Sequence, residues 1–277
     1  MKIILFSLFM MACSDESQTP VEPPTEQKEQ KEKSSFNKID PASLENAVNK
    51  AELVPSPVEM QSKLSKAGLQ TELSTLVTTE DKIKVVVEDN DQTAIRTGVV
   101  LADLVLTIKV SSKEQILARL SKLKAGFDKL GAGSDIKVTI EEFESNVNKG
   151  ETGRTEMLEE FDLYSKVMVT ELEYEAGDWV VPLVQAGTWL EGANLVAKVM
   201  VKEGKYDSAD EFFRQKEIVE YFISYVGRKG KDKAPDGVVK TLSETLTKLK
   251  TIAAKPKIEE ADVKEIEALT SKVLALL

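Results

Sequence analysis

Two carboxylates and one guanidinium stand in stretches that are otherwise almost wholly apolar. In Ala94 to Lys109, AIRTGVVLADLVLTIK, Arg96 and Asp103 are the only charges before the terminal lysine. In Gly177 to Glu203, GDWVVPLVQAGTWLEGANLVAKVMVKE, the polar residues Gln185, Thr188, Glu191 and Asn194 are embedded among valines, leucines and alanines. Buried ions and amides need partners, because leaving water unpaired is costly. Arg96 and Asp103 are seven residues apart, on one helical face but two turns from each other, so each must find its partner on another element. Glu191 is the natural partner for Arg96, and a hydroxyl, amide or lysine for Asp103. Such pairs could lock the register of two packed helices. The same groups could instead line a cleft and bind a polar ligand, with Arg96, Asp103, Gln185, Trp189, Glu191 and Asn194 as its candidate residues. A third chemistry is a carboxylate-dependent hydrolase acting on a glycan, with Glu191 and Asp103 as candidate residues.

Composition removes many alternatives. The chain has no histidine, which excludes Ser-His-Asp and Cys-His catalysis and histidine-ligated metals. One cysteine, Cys13, excludes intramolecular disulfides and thiolate clusters, so any metal binding could only be through oxygen, and no metal site or cofactor is expected. Lys and Arg total 37 against 47 for Asp and Glu, a formal charge of -10, which is unsuited to a nucleic-acid partner. Glu171, Glu173, Glu175 and Asp178 beside Tyr174 form an acidic patch best read as a solvated face, since Glu171 and Glu173 point to different sides of a helix. Asp89-Asn90-Asp91 resembles the start of a calcium loop, but Thr93 and Ala94 stand where a ligand and a glycine belong, so helix capping explains it better. Arg228-Lys229-Gly230-Lys231-Asp232-Lys233 is the one basic cluster, read as a solvated loop. No phosphate loop, nucleophile elbow or dinucleotide fingerprint occurs.

The elements that must position these groups are helices. Trp179, Leu183, Ala186, Leu190, Ala193, Ala197 and Met200 share one helical face, while Val180, Val181, Val184, Leu195 and Val199 lie opposite. A helix apolar nearly all round is a central one. Gly187 and Gly192 interrupt it, and a glycine inside a helix costs ~1 kcal/mol, so close approach by a helix or a ligand is the expected compensation. Around it, Asp40-Pro41, Ser56-Pro57-x-Glu59, Asp89 to Asp91, Ser111 or Ser112, Thr152 or Thr155, Ser208-x-x-Glu211, Asp236, and Glu259 or Glu260 read as helix starts. Gly131, Gly150 and Gly204 read as helix ends. The helix opened at Ser208 is expected to run to Val226. Strand-like alternation is confined to Lys82–Val87 and is too short to define a strand. The sum is an all-α fold, an antiparallel bundle of roughly eight helices.

The chain opens MKIILFSLFMMA, a charged start and an apolar run too short to span a bilayer, which needs ~20 residues. With Cys13 directly after Ala12, this resembles a bacterial lipoprotein signal, although Met10 and Met11 depart from its commonest pattern. The resemblance implies cleavage before Cys13 and diacylglyceryl attachment to its sulfur. Ser14, where an aspartate would favour inner-membrane retention, points to the outer membrane. Residues 14–38 hold only Val21 and Phe36 as sizeable apolar side chains and read as a disordered tether reaching ~25–30 Å. The expected organisation is a signal peptide over 1–12, a lipidated cysteine and tether over 13–38, and a helical domain over 39–277. Arg96-x-Gly98-Val99-x-x-Ala102-Asp103-Leu104 and Gly187-x-Trp189-Leu190-Glu191-Gly192-x-x-Leu195 resemble paired segments in uncharacterised lipoproteins of Gram-negative bacteria. That resemblance spans about Asp89 to Glu203 and implies a helical, envelope-exposed domain. The expected protein is anchored to the membrane by its N-terminal lipid, faces the periplasm, and binds or scaffolds an envelope protein, a cell-wall polymer or a small ligand.

Overall fold

Local capping sets the first helices. Ser56 Oγ accepts from the Glu59 amide at 3.1 Å and opens α1, Pro57–Lys66. Asp89 accepts from the Gln92 amide at 2.7 Å and opens α2, Asn90–Thr107. Ser112 and Gln115 exchange side-chain and backbone hydrogen bonds in a capping box at the start of α3, Lys113–Leu130. Gly131 ends that helix in the left-handed conformation. The chain continues through α4, Ser134–Lys149, α5, Arg154–Ala176, and α6, Val180–Glu203. Then follow α7, Ala209–Phe213, α8, Lys216–Lys229, α9, Asp236–Ala253, and α10, Glu260–Leu274. A single 3-10 turn, Leu73–Thr75, lies between α1 and α2.

The computed structural model describes residues 55–69, 73–77, 82, 84–150, 153–177, 179–229 and 236–277. The fold is all-α, with ten α-helices and no strand among the described residues. The lipoprotein signal at Cys13, the tether and Asp40-Pro41 lie outside them, as does most of the basic cluster Arg228–Lys233.

The interior is two apolar clusters that share α2 and α6. One gathers Val100, Leu101, Leu104 and Val105 with Ile116, Leu120, Leu123, Ile136, Phe143, Phe161 and the first turn of α6 at Val180, Val181 and Val184. The other gathers Leu190 to Met200 with Leu64, Phe212, Phe222, Leu249, Val263 and Ile266. Thus α6 is central, as its all-round hydrophobicity predicts. Of the face led by Trp179, the C-terminal half from Leu190 is buried, while Trp179, Leu183 and Ala186 are half-exposed. The valine face is the more deeply buried one.

The close approaches at the glycines are helical. An added Cβ on Gly187 would overlap the Ile95 carbonyl oxygen and stand 2.8 Å from the Ile95 carbonyl carbon. One on Gly98 would overlap the Val184 carbonyl oxygen and stand 2.8 Å from the Thr188 nitrogen. Gly192 faces Met60 of α1, whose sulfur would stand 2.5 Å from an added Cβ. Thr188 Oγ1 lies 2.9 Å from its own Val184 carbonyl and 3.1 Å from that of Gly98, so its one proton serves the helix or the crossing.

The helix expected from Ser208 to Val226 is two helices. Ser208 makes no side-chain cap, and the chain breaks at Arg214 and Gln215 between α7 and α8. Two tertiary contacts hold that break. Asp210 accepts from the Ile258 amide at 2.8 Å, and Gln215 Oε1 accepts from Trp189 Nε1 at 2.8 Å.

Candidate functional site

The tight α2–α6 crossing brings their polar residues together one turn further along. Asp103 has no exposed surface and Glu191 is 5% exposed. Their carboxyl groups are close neighbours that act on each other electrostatically. Burial pushes the Glu191 carboxyl well above the ordinary carboxylate range, and the neighbouring Asp103 pushes it further, while Lys198 and Asn194 draw it partly back. Two neighbouring carboxyls inside a low-dielectric interior resist ionising together.

Glu191 is therefore not the partner of Arg96, contrary to the sequence expectation. Arg96 Nη1 donates to the Lys84 carbonyl at 2.6 Å, and its Nε makes no hydrogen bond among the described residues. Partial burial lowers the guanidinium's pKa, although an arginine remains charged. The attraction of opposite charges lost to a backbone acceptor on the irregular segment before α2. Asp103, expected to meet a hydroxyl, amide or lysine, meets an acid.

A cleft of about 260 Å³ opens at this place. It is lined by Arg96, Val99, Val100 and Asp103 of α2, Glu191 of α6, Leu274 and Leu277 at the end of the chain, and Lys82 and Lys84. Arg96, Val99, Val100 and Asp103 follow an i, i+3, i+4, i+7 pattern, a single stripe along α2. Asn194 stands one turn behind Glu191. Its Nδ2 lies 3.5 Å from Glu191 Oε2, the outer limit of a hydrogen bond, and its Oδ1 accepts from Ser271 Oγ at 2.7 Å. A polar chain thus runs from α2 through α6 into α10.

Of the six candidate residues, Arg96, Asp103 and Glu191 line the cleft, and Asn194 supports Glu191. Trp189 does not reach it. Its ring packs in the apolar cluster against Phe222, with centroids 5.7 Å apart, and its nitrogen is committed to Gln215. Gln185 is half-buried away from the cleft. Lys82 and Lys84 were not foreseen, since nothing local marks where an irregular segment docks. Arg119 was also passed over, and here a signal existed. It falls between Ile116, Leu120 and Leu123 on the apolar face of α3, and it is fully buried, donating from Nη1 to Ser111 Oγ at 2.9 Å.

The lining supplies donors at one end, acceptors at the other and aliphatic walls between. It contains no hydroxyl or thiol among the described residues, so carboxylates and amines are its only reactive groups. Among the described residues no group of three or more acidic or sulfur side chains is placed to hold a metal ion. Glu173 and Tyr174 of the acidic patch are exposed on α5, while the side chains of Glu171, Glu175 and Asp178 are outside the description. Asp89 caps α2, as its position suggested. No described helix is long and apolar enough to cross a membrane. No family model, curated protein or solved structure matches the chain.

Proposed function

We propose that this is a lipid-anchored protein of the bacterial cell envelope, held through Cys13 at the outer membrane and facing the periplasm, whose helical domain binds a small polar ligand in the Asp103–Glu191 cleft. One observation carries the binding part: a guanidinium and two buried carboxyls from crossing helices converge on one cavity. A crossing that needed only to be held together would be served by apolar side chains, which bury at no desolvation cost. The anchoring part is supported by the sequence alone, through the short apolar start ending at Ala12-Cys13.

The convergence also favours a second reading, a carboxylate-dependent hydrolase of an envelope glycan. Its geometry is poor for that task. Glycosidic cleavage uses carboxyls ~5–5.5 Å apart when retaining and ~6.5–9.5 Å apart when inverting, with substrate between them. Here the two are immediate neighbours, both buried at the helix crossing.

Two measurements test the proposal. Cys13→Ser is expected to abolish incorporation of labelled fatty acid and release the protein from the outer-membrane fraction; unchanged labelling would refute the anchor. Thermal melts of the full chain against a panel of small amines, carboxylates and amino acids are expected to give at least one concentration-dependent rise in Tm that disappears in Arg96→Ala. A panel that leaves Tm unmoved, or a rise that survives Arg96→Ala, would refute the cleft.

A further inference from the structure

We propose that the ligand of the cleft is a short zwitterionic peptide of about two residues, with its ammonium end at the Asp103–Glu191 pair and its carboxylate end at Arg96. This rests on the reading of the cleft as a polar-ligand site and specifies the chemistry of what it takes.

The argument begins with the order of charges along α2. Arg96 and Asp103 share a face at seven residues' separation, ~10 Å of axial rise. Val99 and Val100 lie between them, and Leu274 and Leu277 also line the cleft. Lys82 and Lys84 add positive charge to the lining, while Glu191 adds an acid to Asp103. The cleft is therefore a dipolar slot, with cationic groups, an aliphatic middle and an acidic pair.

A simple anion would satisfy the cationic groups and be repelled by the acids. A simple amine would do the reverse. A molecule bearing both charges satisfies both ends, and the separation sets its length. Two extended residues span ~7 Å and a hydrogen-bonded contact at each end adds ~3 Å, ~13 Å in all. This exceeds the axial rise because the long Arg96 side chain leans toward the N-terminus of α2, where it reaches the Lys84 carbonyl. A single amino acid, ~3.5 Å with the same two contacts, spans only ~10 Å and falls short of the Arg96 guanidinium in that position. The volume of about 260 Å³ falls just below the ~300–1,000 Å³ common for small-molecule sites, which also limits the ligand to a few residues. The aliphatic lining suits apolar side chains.

The acid pair gives the binding event a signature. Unliganded, the two buried carboxyls resist ionising together. An ammonium group supplies the positive charge instead, so both carboxyls ionise and the displaced proton passes to buffer. Among the described side chains, the charged groups facing the pair are Lys198 on α6 and the cleft-lining Arg96, Lys82 and Lys84; none of them is a carboxylate that could take up that proton.

The experiment is calorimetric titration of the full-length lipidated protein in detergent with alanyl-leucine, N-acetyl-alanyl-leucine, alanyl-leucine amide, free leucine, butylamine and acetate. The dipeptide is expected to bind, with an apparent enthalpy that changes with the buffer's ionisation enthalpy, reporting proton release. Blocking either terminus is expected to weaken it by about tenfold or more, equal to ~1.4 kcal/mol. Arg96→Ala should weaken the free dipeptide and leave the amide nearly unchanged; Glu191→Gln should remove the proton release. The blocked peptides are compared on the wild-type protein, so the test stands even if a variant folds poorly. Absence of dipeptide binding, or equal binding of the blocked forms, would overturn the peptide assignment. If butylamine or acetate alone then bound, and lost that binding in Glu191→Gln or Arg96→Ala, the cleft would remain a polar-ligand site. Binding by no probe at all would overturn both readings.

Discussion

Gly187 lies directly on the Ile95 carbonyl, with no room between them for even a methyl group. Three residues further along α2, Gly98 meets the Val184 carbonyl in the same way. Each helix therefore presents a glycine to the other's backbone, and the two axes come closer than any pair of side chains would allow. This contact fixes where Asp103 and Glu191 stand, because each is one to two turns from its own helix's glycine.

Gly187→Ala is accordingly expected to force the helices apart. Overpacking a well-packed contact costs ~1–3 kcal/mol, and here the obstacle is backbone, which cannot rotate away. Helix propensity favours alanine by ~1 kcal/mol, and the backbone overlap places the cost at the top of that range, so the net loss should still be about 2 kcal/mol. Urea denaturation measures it. A variant as stable as wild type would show that the crossing is looser than described.

The glycine contact was legible in part. Glycines inside an apolar helix announce a close approach, but not whether helix or ligand makes it. The caps at Ser56, Asp89 and Ser112 were legible because capping is decided within four residues. The break after Phe213 was not, because it depends on Trp189 and Ile258, far away in sequence. Burial of Asp103 and Glu191 followed from their apolar neighbours. Their pairing did not: opposite charges attract, so Arg96 was the obvious partner for Glu191, and only the placement of the Lys84 carbonyl removes it. Arg119 could have been found by applying to α3 the face argument used for α6.

The link between Trp189 and Gln215 gives a second test. Trp189→Phe keeps most of the ring's packing against Phe222 and deletes the indole donor. Gln215 Oε1 is then left without its partner near the break between α7 and α8, at a cost of ~1–3 kcal/mol if no water replaces it. Hydrogen exchange should show the change concentrated in residues 209–219. Uniform loss of protection across the chain would mean that the hydrogen bond does not hold the break.

Protease sensitivity tests the expected organisation of residues 13–38. Brief digestion should trim the chain to a fragment beginning between about Lys28 and Asp40, because low hydrophobicity leaves that stretch without a core. The α2–α6 crossing predicts that Ala94 to Glu203 resists. Early cuts within that span would contradict it.

The acid pair makes stability depend on pH in a direction that can be worked out. Burial, then Asp103, raise Glu191 well above its ordinary value of 4.5, so above that pH the folded protein holds a proton that the unfolded chain has released. Stability must therefore fall as pH rises from about 4.5 toward the raised value, by at most ~1.4 kcal/mol per pH unit. Surface carboxylates such as Glu220, held low by its hydrogen bond to Lys250, act in the opposite sense and only near or below 4.5, so the higher window isolates the pair. Glu191→Gln keeps the shape and replaces the titrating proton with an amide donor toward Asp103. Urea midpoints measured from pH 5 to pH 8 should decline in wild type and stay nearly level in the variant, which should be the more stable of the two at pH 8. Parallel curves for the two proteins would mean that Glu191 ionises normally and that the carboxyls are not in contact.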